Sequence, residues 1–230
     1  VNEGVNRQDG RAERWRQHRV ERRREFVEAA IRALDRHGPD AAMADIARAA
    51  GVAKPRLYRH FTDKAELFVA VAERASELVW DRLRPALSEP AAVRDRVEQS
   101  VRAYFSAVAE HPNVFRMVGE RRFLTRTAQP DPVAVGNTAM AALIAAVFDE
   151  YLRAHGAHST GTLPWAHGIV GSVEGATRWW LADGTLGQQE IVEHVSVLVW
   201  GAMEAVLRSA GVTVDPDQPL DLDLDELPTR

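Results

Sequence analysis

The sequence predicts an all-α protein of about nine helices, with a small N-terminal three-helix helix-turn-helix domain followed by a larger C-terminal helical domain. Three observations carry this. Apolar residues recur at i, i+3 and i+4 spacing, and no stretch alternates as a strand would. Glycine and proline clusters cut the pattern into segments of helix length. Charge is also divided along the chain. Residues 1–64 hold 15 Lys and Arg against 10 Asp and Glu, a net of +5, while residues 65–230 hold 14 against 23, a net of −9.

At 230 residues and 46% hydrophobic, the chain can fill one large core or two modest ones. It has no cysteine, which rules out a disulfide framework, a thiolate nucleophile and a zinc–thiolate site. The arginine-rich start lacks the apolar core of an export signal. The cleanest apolar run, Ala139 to Phe148, is far short of the ~20 residues a membrane span needs. A soluble cytoplasmic protein is the expectation.

Residues 1–18 carry Arg7, Arg11, Arg14 and Arg16 among polar residues and read as a disordered basic arm, either a loose start or a reach toward phosphate. The helix-turn-helix domain is assigned to residues 19–64. Its first helix, 19–37, has an apolar stripe of Phe26, Ala30, Ile31 and Leu34, and Gly38-Pro39 stops it. A second helix is expected over Asp40 to Ala50 and a third over Ala53 to His60, with a turn at Gly51. Pro55 suits the first turn of that third helix, where its missing N–H has no partner to lose.

Thr62 or Asp63 can cap a fourth helix, the connecting segment 65–87, which Pro85 ends or bends. The second domain, 88–212, should hold helices over Ala91–Glu110, Asn113–Thr127, Val133–Ala154, Trp165–Ala182 and Gln188–Ala210. The acidic tail, 213–230, reads as disordered from Asp215 onward.

The third helix carries the chemistry. Leu57 and Phe61, spaced i,i+4, point into a core. Lys54, Pro55, Arg56, Tyr58, Arg59 and His60 are left on a cationic surface able to enter a DNA major groove. Arg56 can hold guanine O6 and N7 with its forked guanidinium, and Arg59 can read a base or grip a phosphate. For each residue singly, base or phosphate stays open, and a plain solvated helix face is the competing reading.

The residues Asp45-Ile46-Ala47, Ala50-Gly51-Val52, Leu57-Tyr58, His60-Phe61, Lys64 and Leu67, in that order and spacing, resemble the TetR family of bacterial one-component transcriptional regulators. The resemblance covers about Arg23 to Phe68. It implies that Tyr58 and His60 hydrogen-bond phosphates and that Lys64 anchors the backbone at the start of the fourth helix. It also implies a double-stranded DNA operator, a homodimer, and repression relieved by a small molecule. Two positions depart from the family pattern. Ala42 and Ala53 stand where hydroxyl caps are common, and Asp40 is the alternative cap for the second helix at a shifted start.

In the second domain Gly168, Gly171 and Gly175 form a stripe that another backbone could approach closely. With Leu198, Gly201, Ala202, Met203 and Val206 they are the expected dimer interface; intrachain packing is the alternative. Aromatics spread over several helices suggest a largely apolar ligand cavity. The candidate lining is Tyr104, Phe115, Phe123, Phe148, Tyr151, Trp165 and Trp179, with His167, Glu174 and Arg178 as orienting groups. The expected effector is hydrophobic: a lipid, acyl derivative, sterol-like compound or drug.

No cofactor or metal is expected. His155 and His158 lie three apart in a glycine-rich loop without a third ligand. No phosphate loop, nucleophile elbow or paired-carboxylate motif points to an enzyme. A DNA-binding helical protein without an effector is the alternative function.

Overall fold

The computed structural model describes residues 3–120 and 130–219, with side chains from residue 15 onward. Among these residues there are nine helices: α1 (Glu3–His37), α2 (Met43–Ala49), α3 (Lys54–Leu57), α4 (Lys64–Ser88), α5 (Val93–Glu110), α6 (Pro112–Glu120), α7 (Pro132–Ala154), α8 (Thr162–Asp183) and α9 (Gln188–Ser209). The expected all-α class and two-part order are present.

Helix α1 corrects the reading of residues 1–18 as a disordered arm, since it runs unbroken from Glu3. Polar composition was the wrong guide there. Arg, Gln, Glu and Ala are good helix formers, and their propensity carries the helix through a stretch poor in apolar residues. Helix α1 ends at Gly38, whose φ of +87° lets the chain reverse while its N–H bonds Leu34 O at 2.8 Å.

Phe26, Ala30, Ile31 and Leu34 of α1 pack with Ile46 of α2, Leu57, Phe61, and Leu67 and Val71 of α4 in one core. Val114, Met117 and Val118 of α6 join the same core, so the second domain grips the first. Asn113 strengthens this grip by donating to the carbonyls of Leu34 (3.1 Å) and Asp35 (3.3 Å) at the end of α1. On its other side α6 reaches α8, where Arg116 Nε donates to Leu181 O at 3.1 Å.

Two caps differ from expectation. Asp40 does not cap α2; Asp45 reaches back to accept the Ala42 N–H at 3.0 Å, which is half of a capping box. That bond holds the Asp45 carboxyl below its ordinary value. Pro85 does not end α4 either, since the helix continues to Ser88 and Glu89 N–H bonds Pro85 O at 3.0 Å.

Helices α5, α7, α8 and α9 enclose a second core built on Val97, Val101, Phe105, Phe148, Ile169, Val195 and Val199. By length and composition α7 alone among the described residues could cross a membrane; here it packs between α4 and α8. The chain after α9 is also ordered at first. Val212 and Val214 are buried, and Pro216 O and Gln218 O accept the N–H groups of Arg94 and Val93 at the start of α5. The tail therefore forms a strap as far as residue 219, correcting the disorder expected from Asp215 onward. Residues 220–230 lie outside the described residues.

Candidate nucleic-acid interface and interior cavity

Helix α3 is shorter than the sequence pattern suggests. Its one turn, Lys54–Leu57, passes into hydrogen-bonded turns in which the N–H groups of His60 and Phe61 both bond Leu57 O, at 2.9 and 3.0 Å. Around this turn Lys54, Pro55, Arg56, Tyr58 and Arg59 are all exposed, and Leu57 and Phe61 are buried beneath them. Lys54 Nζ lies 5.8 Å from the centre of the Tyr58 ring.

His60 sits differently. It is half-buried, edge-on to Phe26 at 5.1 Å, and its Nδ1 is buried without a partner. Burial, with Arg19, Arg23, Arg56 and Arg22 around it, lowers its pKa, so the ring is neutral at pH 7. Lys64 is half-buried as well. Its Nζ donates to Asp40 O at 3.1 Å and lies 4.8 Å over the Phe68 ring, tying α4 to the α1–α2 turn.

A positioning network stands behind the exposed turn. The Arg23 guanidinium lies 4.1 Å over the Phe61 ring, donates to His60 O, and pairs with Glu66 at 2.8 Å. Glu66 accepts the Thr62 N–H at 2.6 Å, while Asp63 accepts the Glu66 N–H at 2.8 Å and caps α4. One arginine thus fixes the end of α3 to the start of α4.

Burial pushes the Glu66 carboxyl up, but the Thr62 N–H and the Arg23 guanidinium more than offset this and hold it below its ordinary 4.5. A carboxylate with a depressed folded pKa stabilises above its unfolded value and loses that contribution as pH falls. The melting temperatures of wild type and Glu66→Gln should therefore differ by a constant amount above about pH 5 and converge only as pH falls below about 4.5 and through the lower folded value. A gap that stays constant as pH falls through that lower value counts against the network.

The second domain holds a cavity of about 290 Å³ bounded by α4 to α9. Tyr104, Phe115, Phe148, Glu174 and Arg178 line it. Asn137 Nδ2 donates to Glu174 at 2.9 Å, and Thr177 Oγ1 donates to Tyr104 Oη at 3.2 Å. Burial pushes the Tyr104 phenol up, so it stays neutral.

The other candidate lining residues lie elsewhere. Trp165 folds over Gly161, where an added Cβ would meet its ring at 2.6 Å, and meets Phe148 edge-on. Tyr151 faces a separate small hollow and packs against His155 at 4.4 Å. His167 and Trp179 are exposed. Phe123 lies outside the described residues. Met203, expected at the dimer interface, lines the cavity.

Among the lining residues that were missed, Trp80 of α4 and Arg96 of α5 are the largest aromatic and the most buried charge. Arg96 had a signal available, because it falls between Val93 and Val97 on the apolar stripe of its helix.

On the outside of α8 and α9, Gly168, Gly171, Gly175 and Gly201 each have no neighbouring chain within 4 Å of a built Cβ. Leu163, Trp179, Val197 and Leu198 are large apolar side chains exposed on the same two helices. Ala202 and Val206 are half-buried, packed against the second core.

The sequence profile for bacterial regulatory proteins of the tetR family matches residues 26–71, and that for a tetracyclin repressor-like C-terminal domain matches residues 82–213. The chain belongs to the TetR family. An HTH-type transcriptional regulator of Mycobacterium tuberculosis is 32% identical over 204 residues, 88% of this chain and 86% of the relative. The HTH-type transcriptional activator FasR of Mycolicibacterium smegmatis is 32% identical over 190 residues, 82% and 85% of the two chains.

Among solved structures, a TetR-family regulator from Mesorhizobium loti aligns with a TM-score of 0.64 at 23% identity, covering 82% of this chain and 97% of that one. The fatty acid degradation regulator FadR of Bacillus halodurans aligns at 0.58 and 20%, covering 77% and 97%. These two likenesses concern the fold. As a TetR-family member the chain is a helix-turn-helix transcriptional regulator that binds DNA, and it is not an enzyme.

Proposed function

We propose that this TetR-family regulator binds a palindromic operator as a homodimer and releases it when an apolar small molecule fills the second-domain cavity. The observation that carries this reading is the cavity itself: a space of about 290 Å³ near the size of small-molecule sites, walled in part by α4, the helix that starts at the DNA-binding turn. A ligand favouring one orientation of α4 moves both recognition turns. It can shift the equilibrium only by its differential affinity for the two states. Coupling of ~1–3 kcal/mol corresponds to 5–150-fold in operator affinity.

The exposed apolar residues and open glycines of α8 and α9 support the homodimer. Two-fold symmetry then presents two α3 turns to half-sites one helical turn, ~34 Å, apart. Lys54, Arg56, Tyr58 and Arg59 are the DNA-contacting set. Pro55 shapes the turn, while His60 and Lys64 hold its frame. Arg56→Ala should cost ~1–3 kcal/mol on the best operator and much less on random DNA, measured by fluorescence anisotropy. Equal losses on both would assign Arg56 to phosphate.

The decisive experiment selects the operator from random duplexes, then titrates apolar compounds into the complex. Compounds that bind the protein yet leave operator affinity unchanged would reject the sensor reading in favour of a DNA-binding protein without an effector. The relative named as an activator supports a second sense of regulation. A reporter behind the selected operator distinguishes the two, with expression rising on deletion of a repressor and falling on deletion of an activator.

A further inference from the structure

Arg96 is an unusual wall for an apolar space. It is only 9% exposed, lines the cavity, and sits on the apolar stripe of α5 between Val93 and Val97. One guanidinium N–H donates to Leu87 O in the last turn of α4, and Nε is buried without any partner. Among the described residues no carboxylate pairs with it. Burial alone pushes its pKa down, with no acidic group acting in the other direction.

A guanidinium does not shed its proton in proteins, so this cation remains charged and under-satisfied. Buried cations are costly unless an anion answers them. The acid of this cavity, Glu174, is held by Asn137 beside Tyr104, eight residues along α5 from Arg96 and so ~12 Å away along the helix. At that end Glu174 has Arg178 one helical turn along α8 as well as Asn137, whereas Arg96 has no acid at its own end of the cavity among the described residues.

We propose that Arg96 is an anion anchor, and that the effector is an amphiphile whose oxyanion head, a carboxylate or phosphate monoester, pairs with its guanidinium while an apolar tail fills the remaining space. This rests on the cavity being the effector site and names the ligand class it takes. A planar guanidinium meets such a head through two parallel N–H···O bonds. The carbonyl that Arg96 now holds belongs to the end of α4, so a competing anion is felt directly on the helix that leads to the DNA-binding turn.

The test titrates the full chain by calorimetry with octyl, dodecyl and hexadecyl series, each as carboxylate, phosphate monoester and uncharged alcohol. At the best-fitting length the acid or the phosphate should bind about 10–100-fold tighter than its alcohol. Whichever head gains more identifies the oxyanion. Arg96→Gln, which keeps a donor for Leu87, should erase that preference and leave alcohol affinity within about threefold. Arg96→Lys should restore part of the preference. Thermal melts of each variant confirm that the fold persists.

Alcohols that bind as tightly as the acids overturn the anchor and leave an apolar-effector cavity intact. A preference that survives in Arg96→Gln also overturns it, because another group must then carry the charge. If no member of any series binds, the anchor fails. Operator release by an unrelated apolar compound would then show that the effector reading itself still stands.

Discussion

On the proposed homodimer through α8 and α9, Leu198→Asp is expected to give a folded monomer that has lost about 10²–10⁴-fold in operator affinity. Leu198 is 52% exposed and its neighbour Val197 68%, and neither belongs to the buried core of the second domain. An aspartate there costs the isolated chain little. In a symmetric interface each substitution faces its own copy, so two unpaired carboxylates are brought together and away from water. Once the pair dissociates, the second half-site no longer benefits from tethering, and each α3 turn binds alone. Sedimentation velocity and operator titration of the same sample check both halves of the expectation. A Leu198→Asp protein that stays dimeric would locate the interface elsewhere. Gly171→Trp on α8 is the independent control, because the open space at Gly171 admits the ring only while no partner is there.

Phe61→Ala should cost ~3–5 kcal/mol of folding stability, a large part of the ~5–15 kcal/mol that holds a typical domain together. Phe61 is 1% exposed and joins α3 to α4 in the first core. Its loss leaves a void beneath the DNA-binding turn. It also removes the ring on which Arg23 stacks at 4.1 Å, loosening the contacts from Arg23 to His60 O and Glu66. Urea unfolding gives the stability change directly. DNA affinity should fall further than the unfolded fraction explains, because the surviving folded molecules present a less ordered turn. A loss below about 1 kcal/mol would mean that the core collapses around the gap.

The head was readable because its signals are local. Leu57 and Phe61 at i,i+4, the turn at Gly51 and Pro55 in the first turn each dictate geometry within a few residues. What escaped was set by packing that residue type and spacing alone do not show. Trp165 looks like a cavity aromatic until Gly161 is seen beneath its ring. Arg96 looks like a surface charge until the end of α4 covers it. His60 looks like an exposed member of the cationic surface until Phe26 is found edge-on beneath it and arginines around it. The arm at the start failed for another reason: helix propensity outweighed the scarcity of apolar residues over Glu3 to His18.

The strap at residues 212–219 gives the last described stretch of chain a part in the effector domain. It satisfies two N–H groups at the head of α5, on the same turn that leads to Arg96, and seals Val212 and Val214 against the core. Shortening the protein to residue 211 would thus strip the Val93 and Arg94 N–H groups of their carbonyls and bare the side of the second core that Val212 and Val214 cover. A fusion partner joined directly after residue 219 would begin beside Ala92, where bulky cargo would pull on the start of α5.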